Sequence, residues 1–403
     1  MKRLAPVAFA TLLVACGSGE EVLVGSTVAT GSTGSTSTAV SAPPDDASSV
    51  SLPTSEPPEP SFEPTLGEPV DLGDLADGEP VDLAVRPGAT PTSFLVLRGG
   101  LVVRLESDST VGEVVLDVSD LTRAEGERGL LGVTFSDDGS RAWINHTDLD
   151  GNTRIVAFEV DEEGRFDETS ATEVDVIGQP HANHNGGELV LDAARDRLLV
   201  LTGDGGAAND PDRLALDLGS PLGKILAYPL EPDGDAGPAE IVAVGLRNPW
   251  RAVIHDDVLW IADVGQGQWE EVNAVPLDQL ISAAPVSFGW SALEGTHDFN
   301  DDQTAAHAAF VAIDPVTEYE HVEGRCSISG GAPTTRASGT WYVFADFCTG
   351  EVIARCLVGC GALERTETIV GKVPEAVAVL PDHRGDLWVL GLGGALVPVL
   401  SDR

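Results

Sequence analysis

Residues 383–390 read His383-Arg384-Gly385-Asp386-Leu387-Trp388-Val389-Leu390, a polar turn cluster followed at once by four β-prone residues. The same cadence occurs upstream: Asp137-Asp138-Gly139 comes shortly before Ala142-Trp143-Ile144, and Asp256-Asp257 before Leu259-Trp260-Ile261-Ala262. Phe94-Leu95-Val96-Leu97, Leu198-Leu199-Val200-Leu201 and Trp341-Tyr342-Val343-Phe344 complete the set. The runs lie roughly fifty to sixty residues apart, with one longer gap between about 262 and 341. Repeats of about this length, each with several short strands, point to propeller blades. Six runs predict an all-β fold, a six-bladed β-propeller with four-stranded blades. Sustained helical periodicity is missing, which argues against alternating β/α folds. A tandem of β-sandwiches would need a second linker, and none is marked.

Ahead of the repeats the composition changes. Lys2 and Arg3 precede the apolar stretch Leu4 to Val14, which is too short for a permanent membrane span. Leu13-Val14-Ala15-Cys16 resembles the lipobox of bacterial lipoproteins, in which the cysteine is lipidated and becomes the mature N-terminus. The expected domain order is a lipoprotein signal peptide over 1–16, a disordered acidic tether over 17–77 and the propeller over 78–403. The tether expectation rests on its Ser, Thr, Gly and Pro content and on the lack of any Lys or Arg between Arg3 and Arg86. This reading makes the protein exported and held to the outside of the cell membrane only through Cys16.

The formal net charge is −42, from 65 acidic and 23 basic residues, and only Lys2, Lys224 and Lys372 are lysines. Such a surface excludes nucleic acid as a partner, because phosphates need a basic patch. Four cysteines follow Cys16: Cys326, Cys348, Cys356 and Cys360. An even number in an exported chain predicts two disulfides; the rival zinc site would lack a histidine at finger-like spacing. Cys326 and Cys348 flank two expected strands of one blade and should face each other. Cys356 and Cys360 should close a small loop.

Four motifs carry chemistry-bearing residues. They are Glu127-Arg128-Gly129-Leu130-Leu131-Gly132; Asn183-His184-Asn185-Gly186-Gly187 with Gly203-Asp204; Gly245-Leu246-Arg247-Asn248-Pro249-Trp250 with Asp263-Val264-Gly265-Gln266; and Phe288-Gly289-Trp290. Singly, a loop histidine or a glycine pair means little, since glycines mark turns. As an ordered set, these motifs resemble the soluble quinoprotein glucose/sorbosone dehydrogenases, the aldose sugar dehydrogenases and the hedgehog-interacting-protein-like proteins.

That resemblance implies a cofactor, pyrroloquinoline quinone (PQQ), and a Ca²⁺ ion over the propeller's central channel. It implies oxidation of an aldose at its anomeric hydroxyl to the lactone, with electrons passed to an external acceptor. His184 matches the catalytic base and Arg247 the group that polarises the quinone. Arg247, Asn248, Glu127 and Asp204 match the cofactor site, and Gly265 and Gln266 the backbone carbonyls that bind calcium. An imidazole is suited to take a hydroxyl proton near neutral pH, and a guanidinium to stabilise developing negative charge. The sequence departs from the family where cations meet the cofactor's carboxylates: Cys348, Val373 and Glu375 stand there, leaving Arg128 and Arg336 as candidate replacements. Two other functions fit the same architecture: a non-catalytic propeller that binds a glycan or protein partner, and a calcium-dependent lactonase.

Overall fold

In a computed structural model, the protein is described over residues 64–400 apart from 107–109, 232–233, 283, 337–338 and 361–365. The expected signal segment and the tether up to residue 63 lie outside the described residues. The regular structure of the described chain is almost entirely strand, with a few short 3-10 turns and a single four-residue α-helix at Thr304–His307.

Five sheets are regular four-stranded antiparallel blades. Two are continuous in sequence at the start: Pro80–Arg86 through Val111–Asp117, then Leu130–Phe135 through Phe166–Ile177. Pro249–His255, Val258–Asp263, Trp269–Pro276 and Thr317–Glu320 form another. The run Ile328–Arg336 through Glu367–Lys372 follows. The last joins Ala376–Pro381, Leu387–Gly391 and Ala395–Leu400 to the early strand Thr65–Leu66.

The expectation of six four-stranded blades is therefore corrected to five. The remaining large sheet has six strands. Its antiparallel part runs from Leu189–Asp192 to Glu240–Val244, and Val286–Ser287 and Val311–Ala312 add to its edge in parallel. Both added strands come from residues 277–316, which leave the neighbouring blade between its third and fourth strands. This excursion is the long gap in the sequence spacing.

The first strands of successive sheets touch one another in a closed ring, and the last touches the first. Each sheet is consequently covered on both faces, which is why the strands read as continuous apolar runs. In Gly339–Asp346, Trp341, Val343 and Ala345 pack toward the last blade, whereas Tyr342 and Phe344 pack the other way.

The folded region also begins earlier than the expected boundary at 77. Thr65 pairs with Leu400 and Leu66 with Val399, the Val70 N–H donates to the Leu396 carbonyl at 2.8 Å, and Leu72 is buried in the core. Two residues, Thr65 and Leu66, in a Pro-rich context gave too short a signal to mark a strand. Both expected disulfides are formed, Cys326–Cys348 and Cys356–Cys360. Among the described residues no helix is long and apolar enough to cross a membrane.

Candidate active site

The chemistry-bearing motifs lie at the starts of inner strands, so the ring brings them to one end of the propeller. Glu127 precedes Leu130–Phe135, His184 precedes Leu189–Asp192, and Arg247-Asn248 lead into Pro249–His255. Together with Gly265, Gln266 and His321 they line a cavity of about 450 Å³.

His184 is held from several sides. Its backbone sits at φ 55°, a left-handed conformation that costs a non-glycine residue on the order of 1 kcal/mol. Its N–H donates to Glu127 Oε2 at 2.7 Å, which helps fix that turn. Gly203 packs against it so closely that a Cβ there would meet the His184 carbonyl oxygen at 2.0 Å, so only glycine fits. The ring nitrogen Nδ1 lies 2.7 Å from Asp204 Oδ1, and both side chains are buried. With Nδ1–H donating to the carboxylate, Nε2 is the proton-accepting atom. Asp204 also accepts from the Gly206 N–H and from Trp290 Nε1, each bond orienting the carboxylate. Asp204 thus stands behind His184 as a positioning group and is not among the residues that line the cavity. Glu127 does line the wall, but its Oε2 is taken by His184 and by Asn248 Nδ2.

Arg247 and Asn248 present their backbone N–H groups to the two oxygens of Asp263, at 2.9 and 2.6 Å. Burial pushes that carboxyl up to about 7. The Arg247 guanidinium lies over the Trp290 ring, 5.4 Å from its centroid, and donates through Nη1 to the Val264 and Gly265 carbonyls. Arg247 Nε and Asn248 Oδ1 are buried without a hydrogen-bond partner. The Arg247 Nε–H, an orphaned donor, fits an acceptor such as a quinone oxygen of PQQ, whereas Asn248 Oδ1, an orphaned acceptor, fits a hydroxyl or N–H of the occupant.

Calcium fares differently. The Gly265 carbonyl expected to bind it already accepts from the Arg247 guanidinium at 2.7 Å, and a dication on that oxygen would face a cation. The side chain of Gln266 bonds with Asn209, and the backbone N–H groups of Gln266, Gly267 and Gln268 converge on Glu294 Oε1. As arranged, the Gly265 carbonyl does not fit calcium. No group of three His, Cys, Asp or Glu side chains among the described residues is placed to hold a metal.

The candidate replacement cations are not in the wall. Arg128 turns to the His181 carbonyl and to Glu125, and Arg336 ends the strand whose other end approaches the cavity. Sequence reasoning missed His321, whose Nε2 lies 2.6 Å from Glu270 Oε1 at the wall. It also gave Trp290 no role, although its motif stood out. Further along the inner strands, the Arg251 guanidinium ties the Val81 and Leu131 carbonyls to Glu188 inside the ring.

Fold and site define a β-propeller with a histidine–aspartate pair and an arginine at one end of its ring. The chain has the fold of the soluble aldose sugar and glucose dehydrogenases. The soluble aldose sugar dehydrogenase of Escherichia coli, in its apo form, superposes with a TM-score of 0.61 at 18% identity, covering 85% of this chain and 100% of that one. A putative oxidoreductase (glucose dehydrogenase) of Thermus thermophilus gives 0.58 at 21% identity, over 80% and 97% of the two chains. At such identities the likeness speaks for the fold alone. In sequence, the HIPL1 protein of Arabidopsis thaliana is 30% identical over 220 residues, 44% of this chain and 30% of that protein. Its HIPL2 protein is 28% identical over 213 residues, 42% and 29%. The chain therefore spans about a third of the length of the curated relatives it matches. No protein-family model matches it.

Proposed function

We propose that the protein is an exported sugar dehydrogenase of the quinoprotein type, oxidising the anomeric hydroxyl of an aldose and passing electrons to an external acceptor. The observation that carries this reading is the buried His184–Asp204 pair at 2.7 Å, opening on the same cavity as Arg247 and Asn248. His184 Nε2 takes the hydroxyl proton while Asp204 holds the ring and stabilises the imidazolium that forms. Arg247 would hold PQQ at a quinone oxygen through its free Nε–H, and Asn248 Oδ1 would accept from an N–H or hydroxyl of the occupant. When bound, PQQ supplies the hydride acceptor. The mouth motifs, rich in Gly and Asn, admit a polar ring.

The test is reconstitution of purified protein with PQQ and dye reduction over a panel of aldoses. His184→Ala should lower kcat by about 10²–10⁴-fold with the melting temperature kept. Unchanged turnover in that variant would refute the assignment. Among the described residues, Arg247 is the only Lys or Arg in the cavity wall. That scarcity favours a second reading, a propeller that binds a neutral glycan without turnover, which predicts aldose binding and no dye reduction. Export and anchoring through Cys16 are part of the proposal. Palmitate labelling that persists in Cys16→Ser would overturn the anchor.

A further inference from the structure

A second histidine–carboxylate pair faces the same cavity. His321 follows the strand Thr317–Glu320, and its backbone N–H donates to the Gln268 carbonyl at 2.8 Å, which fixes the ring at the wall. Its Nε2–H donates to Glu270 Oε1 at 2.6 Å. Glu270 is fully buried, and its other oxygen accepts from the Gly265 and Ile328 N–H groups. With Nε2 so engaged, Nδ1 is left without a protein partner among the described residues. Ser327, in the same wall, bonds through its backbone N–H to Asp346 and leaves its hydroxyl likewise unengaged.

We propose that His321 and Ser327 form an anion-binding subsite that takes a carboxylate of the cavity's occupant. The chemistry follows from the tautomer. While Nε2–H is held by Glu270, a neutral ring offers only a lone pair at Nδ1, whereas the imidazolium offers an N–H bearing positive charge. The pair therefore binds a carboxylate in the protonated state and loses that capacity as pH rises.

The charged groups around the ring favour the protonated state. Glu270 lies behind it, Glu294 reaches it from the hairpin Leu293–Asp298, and Asp346 from the strand Gly339–Asp346. Together they hold the imidazole above its ordinary value against the effect of burial. Glu127, His184 and Arg247 are the charged or titratable residues elsewhere in the wall. Burial raises Glu270 itself, against the attraction of His321.

This subsite rests on the quinoprotein reading only in the choice of one probe. Affinities of PQQ and of benzene-1,3,5-tricarboxylate are measured by calorimetry at about pH 5.5 and about pH 8.5. The proteins are the wild type, His321→Gln, which keeps a donor toward Glu270, and Ser327→Ala. The wild type should bind the tricarboxylate about tenfold more tightly at the lower pH. His321→Gln should bind weakly and equally at both, and Ser327→Ala weakly with the pH dependence kept. If the tricarboxylate behaves this way and PQQ does not bind, the subsite stands and the quinone reading falls. If PQQ binds with an affinity indifferent to His321, the reading stands and the subsite falls. Wild-type affinities equal at the two pH values, or no binding of either probe, overturn the subsite.

Discussion

Trp290 Nε1 donates to Asp204 Oδ2 at 2.8 Å, placing a tryptophan behind the carboxylate that orients His184. The same indole lies under the Arg247 guanidinium. Trp290 belongs to the excursion 277–316, so a segment that interrupts one blade braces both sides of the site.

Trp290→Phe separates the two contacts, keeping a ring under Arg247 and removing the donor to Asp204. A hydrogen bond to a charged group is worth about 1.5–3 kcal/mol, so kcat should fall by about tenfold or more with KM little changed. An unchanged kcat would show that the indole merely fills space.

Glu188 gives a stability prediction with a definite sign. Burial and the neighbouring Asp82 push its carboxyl up to about 8, against the attraction of Arg251. Between its ordinary value and about 8 the folded protein holds a proton that the unfolded chain has released, so stability falls as pH rises through that window. Glu188→Gln removes the effect. Its melting temperature should gain on the wild type progressively from about pH 5 to pH 8. Parallel curves would rule out the native-state protonation.

Chains beginning at Pro64 and at Pro80 should differ in stability. The longer one keeps the Thr65–Leu66 pairing and buries Leu72, and one such leucine contributes about 1.5–3 kcal/mol. Denaturant unfolding of the two proteins measures the difference; identical midpoints would show that this strand adds nothing.

Loss of Cys326–Cys348, which closes a span of 22 residues, should cost about 3 kcal/mol by loop entropy, and loss of Cys356–Cys360, with a separation of 4, about 2 kcal/mol. Paired Cys→Ser variants compared by thermal unfolding test the order. The first pair also adjoins the cavity through Cys326, so its removal should weaken ligand binding, whereas removal of the second should not.

The blades were legible because both faces of each sheet are covered, so runs such as Leu198-Leu199-Val200-Leu201 stand out as unbroken apolar segments. The disulfides were legible because each pair is local. The Thr65–Leu66 strand was not, since two residues carry no periodicity. The six-stranded sheet was hidden for a related reason: Val286–Ser287 and Val311–Ala312 are also two residues each, and their partner lies in a different blade's stretch of chain. At the site, His184 and Arg247 stood out through their Gly- and Asn-rich surroundings. His321 sits among Glu320, Val322 and Glu323 with no such marker, and only the ring places Glu270 behind it.

The pairing of Thr65 with Leu400 also sets an order of events. Every strand outside the C-terminal blade can find a partner before that blade exists, except Thr65–Leu66, which must wait for Ala395–Leu400. Until then the ring is an open arc with an unpaired strand edge at its end, the kind of edge that recruits other chains. Closure joins the most distant parts of the sequence and carries the largest loop entropy, so it belongs late in folding. A chain cut short before residue 395 would keep most of its blades and remain a permanently unclosed, aggregation-prone arc.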